Sequence, residues 1–359
     1  MNEDGHVSMP SRGLLAAGLT AAVIGSVGVV SIFNANADDE PAPAPAAVTE
    51  ADDTSTPPDT LPWGAEPQRL TRAQAGASSQ QVAEVGADAA PSDTSGATVP
   101  RPEWAPKGTN WGSGAIRTDT TSVQPPAPPQ RGAALADDNT VNFFYAVASQ
   151  STSNDGAYAN LVIGKPYLDS GDYHTLAEIS VQSADGQQIV EVGWNVDRTV
   201  NGDSDPHLFV YHWVDRKESC YNACGWQQYS STIKPGDTLP VGYSKRFGIM
   251  HYNGAWWVVY DTEWIGYFPD DLWDGRYTRS GLQQFFGEVA ASSLTPCTDM
   301  GTGAPPSSDN AARIGSVAEI DDGYVNTSVN LYIRGIGGVY PPPLPLSTRT
   351  FRYGGGGAC

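Results

Sequence analysis

The sequence predicts an all-β protein: an antiparallel β-sandwich of two packed sheets, preceded by a disordered acidic segment. Glycine and proline number 39 and 28 in a chain of 359 residues, which indicates many turns. From residue 141 onward, short segments of strand pattern alternate with turn residues, as is typical of sandwiches and barrels. Almost no stretch has the apolar periodicity of an amphipathic helix, and no internal repeat is visible.

The predicted strands share short length, β-branched or aromatic residues and bordering turn signals. The dipeptide Asn253-Gly254 separates two of them and is the strongest hairpin signal, because it fits a tight two-residue turn. In chain order, we expect strands at 141–150, 158–167, 175–182, 187–197, 207–214, 247–252, 256–260, 281–290, 310–320 and 323–333.

Residues 1–37 have the pattern of a signal peptide. Arg12 precedes an apolar run over residues 13–33, and Ala35-Asn36-Ala37 supplies an A-x-A cleavage pattern. We expect cleavage after Ala37 and an extracellular, secreted protein. The alternative is an uncleaved membrane anchor, since the apolar run is long enough to span a bilayer.

Residues 38–131 are low in complexity, rich in acidic residues and proline, and predict either a flexible linker or a pro-segment. Such a composition buries too little apolar surface to offset the entropy lost on ordering. Trp104 and Trp111 stand in its last third, so we expect part of it to pack on the domain that follows. We assign residues 141–359 to a single catalytic domain.

The formal net charge of −20 argues against nucleic acid as a partner, because phosphate binding needs clustered lysine and arginine. Four cysteines in an exported chain predict two disulfides, for which three connectivities exist. Cys220 and Cys224 are close enough for a small local loop, which leaves Cys297 to pair with Cys359.

Most familiar catalytic and metal-binding motifs are absent from the sequence. There is no H-E-x-x-H helix, no Walker loop, no G-x-G-x-x-G and no G-x-S-x-G elbow. His207 and His212 are five residues apart and face opposite sides of a strand, which disfavours a shared metal. We therefore expect neither a metal nor a cofactor.

Two glutamates remain as candidates for chemistry. Alternation along residues 187–197 places Glu191 and Gly193 on the face opposite the apolar one, and Glu288 stands in a second strand pattern beside another glycine. Partial burial raises the pKa of a carboxyl, and two such groups close together share a proton. One could then take a proton from water while the other protonates a leaving group.

Six motifs occur in the order seen in the neprosin family, and residues 141–322 resemble the catalytic domain of that family. The motifs are IVEVGW (189–194), LFVYHWVD (208–215), SCYNACGW (219–226), IGYFP (265–269), FFGEV (285–289) and MGTG (300–303). The resemblance implies a β-sandwich glutamic peptidase whose catalytic residues are Glu191 and Glu288. It also implies cleavage after proline at acidic pH, without metal or cofactor.

These inferences together predict a secreted, metal-independent, monomeric glutamic endopeptidase that acts on peptides or proteins, including proline-rich ones. It is a zymogen if residues 38–131 are a removable pro-segment and not a spacer, and the sequence leaves both interpretations open. Trp194 and Tyr211 are candidates for substrate contact, whereas we expect most other large aromatic residues in the core. Two alternatives remain open. Paired carboxylates on a β-sandwich also hydrolyse glycosides, and tryptophans suit sugar rings. The other alternative is a binding module without catalysis, which takes carbohydrate or peptide.

Overall fold

The computed structural model describes residues 55–70, 99–112, 114–118 and 141–359. The predicted signal peptide and the proline-rich stretch 124–130 lie outside the described residues. Within these ranges, no helix is long and apolar enough to cross a membrane. The predicted fold class is confirmed, because the described chain forms two packed antiparallel sheets and very little helix.

The elements are short strands, one helical turn α1 (Arg198–Asn201) and two 3₁₀ turns (Pro106–Gly108 and Asp270–Trp273). The strands are β1 (Ile116–Thr118), β2 (Val141–Gln150), β3 (Gly156–Val162), β4 (His174–Gln182), β5 (Ile189–Val196), β6 (His207–Val214), β7 (Lys217–Glu218), β8 (Gln227–Gln228), β9 (Ser244–Tyr252), β10 (Ala255–Tyr260), β11 (Glu263–Pro269), β12 (Leu282–Ala291), β13 (Ala312–Asp321), β14 (Tyr324–Asn326), β15 (Tyr332–Ile336), β16 (Leu344–Ser347) and β17 (Thr350–Tyr353).

The strands form two sheets that we call the first and the second sheet. The first has the order β1-β2-β12-β4-β5-β6-β7, with β15 also paired to β2. The second has the order β16-β17-β13-β3-β9-β10-β11-β8, with β14 paired to β13. The long connection from β6 to β9 and back to β12 crosses between the sheets, so neighbours in the first sheet come from distant parts of the chain.

The main core lies between the two sheets and is built by alternate residues of each strand. In β5 the inward row is Val190, Val192, Trp194 and Val196, all without exposed surface. The opposite row of the first sheet forms a second buried cluster on its outer face, which includes Phe286 from β12. Both faces of the first sheet are therefore covered.

Most predicted strands are found within a few residues of their expected bounds, and the hairpin at Asn253-Gly254 joins β9 to β10. One prediction was wrong: residues 323–333 do not form one strand. Tyr324–Asn326 pairs with β13 in the second sheet, whereas Tyr332–Ile336 pairs with β2 in the first. The chain changes sheets there, which no alternation pattern along a single strand can indicate.

Two segments from the N-terminal part of the chain pack on the sandwich. Residues 55–70 lie on the outer face of the second sheet, where the Trp63 ring is 5.3 Å from that of Tyr158. Residues 99–112 and 114–118, which we call the covering segment, lie on the outer face of the first sheet. Both predicted disulfides are present in the structure, Cys220–Cys224 and Cys297–Cys359.

Candidate active site

The structure brings Glu191 and Glu288 to one buried cluster on the outer face of the first sheet. Glu191 lies on β5 and Glu288 on β12, and β4 runs between these two strands. On β4, Glu191 is opposite Ser180 and Glu288 is opposite Leu176. Each glutamate has at most 1% of its surface exposed.

A third glutamate, Glu178 on β4, lies between these two. Glu178 is opposite Phe286 of β12 on one side and Gly193 of β5 on the other. Because it stands two residues from both Leu176 and Ser180, its side chain shares their face of the sheet. Glu191, Glu178 and Glu288 therefore form a diagonal row across three neighbouring strands.

The covering segment places a lysine into this acidic row. The Nζ atom of Lys107 lies 3.4 Å from Oε2 of Glu288, and the lysine side chain is 7% exposed. Lys107 has a left-handed backbone with φ of 58°. Such a conformation is uncommon for lysine and is held here by the surrounding contacts.

Contacts on both sides of Lys107 hold the covering segment on the sheet. The carbonyl of Trp104 accepts a hydrogen bond of 3.2 Å from Gln284 Nε2, and the Trp104 ring lies against Gly186. Farther along, the Trp111 ring packs edge-on against Tyr332 at 5.7 Å. The segment thus spans the outer face from the β4–β5 turn to β15.

Glu288 has the strongest set of partners in the cluster. Its Oε1 lies 2.6 Å from Nε2 of His174, whose Nδ1 is 3.9 Å from Oδ2 of the buried Asp197. Burial alone would raise the pKa of Glu288. The charge of Lys107 and hydrogen bonds from His174 and Tyr145 outweigh that effect and hold the pKa below its ordinary value.

The other two carboxyls have pKa values shifted in the opposite direction. Burial raises the pKa of Glu191, and the charge of Lys107 opposes this only in part. Burial and the charge of Glu191 raise the pKa of Glu178 well above its ordinary value. Burial lowers the pKa of Lys107, but the glutamate charges outweigh it and raise that pKa well above the ordinary value. These directions favour protonation of Glu178 and Glu191 over that of Glu288. A buried cluster in which the ammonium pairs with a single ionised carboxyl carries no net charge, which lowers the cost of burying it.

The two aromatic residues predicted to contact substrate lie on opposite faces of the first sheet. Tyr211 on β6 is opposite Glu191, belongs to the outer-face cluster and is 9% exposed. The prediction for Trp194 was wrong, because strand alternation turns it into the inter-sheet core. There its Nε1 donates a 3.0 Å hydrogen bond to the Val162 carbonyl.

Sequence reasoning missed Glu178, Lys107 and His174. Glu178 had a usable signal, because it stands in a strand joined by a short turn to the strand of Glu191, so pairing the two strands places both on one face. His174 begins that same strand and shares its face with Glu178. Lys107 had no signal in the sequence, since it lies in a proline-rich stretch whose docking depends on contacts with distant strands.

One acidic group in the described part of the chain has the arrangement of metal ligands. Carboxylate oxygens of Asp155, Asp321 and Asp322 lie within 4.8 Å of one another. The guanidinium of Arg279 donates to Asp155 at 2.9 Å and to Asp321 at 2.6 Å, so this cation already compensates the group. We assign no metal there.

Comparison with known proteins gives one family match. The family profile described as Neprosin matches residues 171–334. This range includes all three glutamates of the cluster and His174, whereas Lys107 precedes it.

Among solved structures, the chain is similar to scytalido-glutamic peptidase with a peptide-based transition state analogue, at 11% identity and a TM-score of 0.39, over 59% of this chain and 99% of that chain. It is also similar to SCP-B, a member of the Eqolisin family of peptidases, in complex with a tripeptide, at 13% identity and a TM-score of 0.36, with the same coverage of 59% and 99%. A Bacteroides ovatus GH16 protein in complex with a product matches at 9% identity and a TM-score of 0.29, over 50% of this chain and 81% of that chain. At these TM-scores the likenesses carry no residue assignments.

Proposed function

We propose that this chain, which carries a Neprosin-family domain, is a secreted glutamic peptidase that hydrolyses peptide bonds with Glu191 and Glu288. The observation that carries the proposal is the buried row of carboxyls on one sheet face, in which two glutamates have pKa values shifted in opposite directions. Groups tuned apart in this way suit the roles of acid and base. Two disulfides, typical of an oxidising compartment, support secretion.

In the proposed reaction, ionised Glu288 takes a proton from a water molecule, whose oxygen attacks the carbonyl carbon of the substrate. Protonated Glu191 donates its proton to the carbonyl oxygen as the tetrahedral intermediate forms. When the intermediate collapses, Glu288 returns the proton to the leaving nitrogen, the C–N bond breaks, and Glu191 takes back its proton from the oxygen. His174 and Tyr145 hold Glu288 in place throughout.

Acidic working conditions follow from the same electrostatics. Lys107 lowers the pKa of all three glutamates while it is in the site. Because the carboxyls bind protons more readily once Lys107 has left, a falling pH favours release of Lys107 and so frees the site in acid. Cleavage after proline is the preference that the family resemblance implies, and we include it in the proposal.

The test is digestion of a proline-rich peptide mixture at about pH 4 to 5 by the wild type and the variants Glu191→Gln and Glu288→Gln. We expect each variant to lose at least about a thousandfold in kcat, since each amide removes one proton-transfer group. Glu319→Gln is the matched control, because Glu319 is a buried strand glutamate of the second sheet. Mass spectrometry of the products reads the residue before each cut.

Near wild-type cleavage by a folded Glu191→Gln or Glu288→Gln protein would remove that residue from the mechanism. Cuts spread evenly over residue types would remove the proline preference and leave the peptidase standing. Hydrolysis of β-glucan but not of peptide would replace the proposal with a glycosidase.

We further propose that the chain is made as a zymogen in which the covering segment blocks the site. Lys107 lies at the carboxyl row, where it pairs with Glu288 and interacts electrostatically with all three glutamates, and the segment around it covers the outer face where substrate would bind. Pro128 and Pro129 directly precede Gln130, so a cut before Gln130 fits cleavage after proline. Removal of the chain before Gln130 by the enzyme itself would free the site. Mass spectrometry of the secreted active protein tests this, and an active form that still starts at Asp38 would contradict it.

Lys107→Gln is expected to weaken this block. The variant lacks the ammonium that pairs with Glu288, so the precursor should start to process itself about one pH unit higher than the wild type. Lys165→Gln is the control, since Lys165 pairs with Asp205 at the surface, away from the site. Time courses of processing on gels at a series of pH values give the midpoint for each protein, and identical midpoints for the wild type and Lys107→Gln would contradict the expectation.

A further inference from the structure

The third glutamate of the row has no role in the reaction described above, yet its position is central. Adjacent strands lie about 4.8 Å apart and residues rise about 3.3 Å along a strand. Glu191 and Glu288 are separated by one intervening strand and by the distance from Leu176 to Ser180 along it. Their Cα atoms are therefore about 16 Å apart, and Glu178 lies between them on the middle strand.

The neighbouring strand is shaped to leave room for Glu178. A Cβ atom added at Gly193 would lie 2.8 Å from the Cβ atom of Glu178 and 2.0 Å from the carbonyl oxygen of Ala177. Any larger residue at this position of β5 would therefore displace β4 and the Glu178 side chain. Gly193, the glycine of the IVEVGW motif, thus makes room for a buried acid on the next strand.

The surroundings of Glu178 favour its protonated form. The side chain is completely buried, and neither carboxyl oxygen meets an N–H or hydroxyl donor among the described residues. The groups that face it are Glu191 from β5, Glu288 from β12, Tyr145 from β2 and Lys107 from the covering segment. Its carboxyl interacts with that of Glu191 on the next strand, and two carboxyls form a hydrogen bond only when one of them carries a proton.

We propose that Glu178 is a positioning residue of the site, a protonated carboxyl that donates a hydrogen bond to Glu191 and fixes the direction in which Glu191 faces the substrate. The inference rests on the proposed peptidase function. Departure of Lys107 strengthens the arrangement, because the lysine is the one facing group that favours ionised Glu178. Of these two carboxyls, only Glu191 exchanges a proton with the substrate, and Glu178 keeps its own proton throughout.

This role separates two substitutions of similar size. In Glu178→Gln the amide N–H still donates to Glu191, so most of the activity and the pH profile should be kept. In Glu178→Met the donor is lost and the volume is kept. We expect kcat to fall about 10- to 100-fold with little change in KM, and the high-pH limb of the profile to move upward, because Glu191 loses a hydrogen bond that lowers its pKa.

The experiment compares pH profiles of kcat and KM for the wild type, Glu178→Gln, Glu178→Met and Glu191→Gln, prepared as full-length secreted protein and then incubated in acid. Glu319→Met is the matched control for the loss of a buried strand glutamate, since Glu319 accepts a 3.0 Å hydrogen bond from Asn326 in the second sheet. Melting temperatures show which variants are folded.

The inference is supported if Glu178→Gln keeps its activity while Glu178→Met has a lower kcat and a high-pH limb that is shifted upward. The inference is overturned if both Glu178 variants lose the same amount of kcat, or if Glu178→Met has the kcat and pH profile of Glu319→Met. In either case an inactive Glu191→Gln leaves the peptidase proposal intact. An active Glu191→Gln would instead remove Glu191 from the proposed mechanism, and the inference about Glu178 with it. If Glu178→Met does not fold, infrared spectra at neutral pH decide: a protonated-carboxyl band that is lost in Glu178→Gln supports the inference, and its absence from the wild type overturns it.

Discussion

His174 is the side chain that connects the carboxyl row to the rest of the sheet. Its Nε2 lies 2.6 Å from Oε1 of Glu288, and its other ring nitrogen faces Asp197, which also caps α1 through the backbone N–H groups of Thr199 and Val200. In this position the ring N–H at Nε2 donates a hydrogen bond to ionised Glu288. The orientation of the base therefore depends on a residue at the very start of β4.

Replacing this histidine should move one limb of the pH profile. In His174→Phe the ring shape is kept but the donor is lost, so the pKa of Glu288 rises and the low-pH limb of kcat/KM shifts upward. The pH dependence of peptide cleavage measures the shift. His212→Phe is the control, because His212 packs against Phe268 at 4.8 Å on the opposite face of the sheet. An unshifted low-pH limb in a folded His174→Phe protein would contradict the prediction.

At this scale the sequence predicted the pair but not its supports. Alternation within each strand put Glu191 and Glu288 on the right faces, because side-chain direction is a local property. The identity of the group between them depends on which strand pairs with β12, and β12 is far from β4 along the chain. The place of Lys107 depends on the docking of an irregular segment, for which the sequence carries no periodic signal.

Among the elements, the pairing of β4 with β5 decides the geometry of the site. It sets Glu178 opposite Gly193 and Glu191 opposite Ser180, so a slip of one residue would turn one set of carboxyls into the inter-sheet core. The short turn between the two strands, with Gly186 in the left-handed region, fixes this register. Trp104 of the covering segment packs on that same turn.

A methyl group at the contact between these strands should test how tightly the register is held. We expect Gly193→Ala to lower the free energy of unfolding by about 3 kcal/mol and to reduce activity, since the added Cβ meets the Ala177 carbonyl oxygen and Glu178. Gly114→Ala is the control, because nothing lies within 4 Å of a Cβ there. Denaturant unfolding gives both values, and equal stability of the two variants would contradict the expectation.

Strand existence was predictable from the sequence wherever one strand carries a full alternating pattern, as in β2 and β6, which match their predicted bounds. The prediction failed where short strands depend on neighbours. β14 and β15 belong to different sheets, and β16 and β17 are too short to show a period of their own. Their pairing is set by contacts across the sandwich and not by local preference.

For the whole molecule, docking of the covering segment is linked to proton release. Lys107 lowers the pKa of Glu178, Glu191 and Glu288, so these groups bind fewer protons when the segment is docked than when it is free. A falling pH therefore weakens docking, and the loss develops as the pH falls through the carboxyl range. The raised pKa of Lys107 keeps its charge throughout neutral and acidic conditions.

Acid should consequently open the precursor before any bond is cut. In Glu191→Gln, which we expect not to process itself, amide protons of residues 99–112 should exchange more slowly at about pH 7 than at about pH 4, after correction for intrinsic rates. Amides of β10, in the middle of the second sheet, serve as the internal control. Equal protection of the covering segment at both pH values would contradict the linkage.

The lysine between the carboxyls also has a consequence for inhibitor discovery. A screen at neutral pH against the freed site will favour amine-bearing compounds, because they reproduce the ion pair that Lys107 makes with Glu288. The same compounds lose their electrostatic advantage in acid, where the carboxyls take up protons and the proposed enzyme works. Compounds chosen at the working pH, with hydrogen-bonding groups in place of the amine, avoid that selection error.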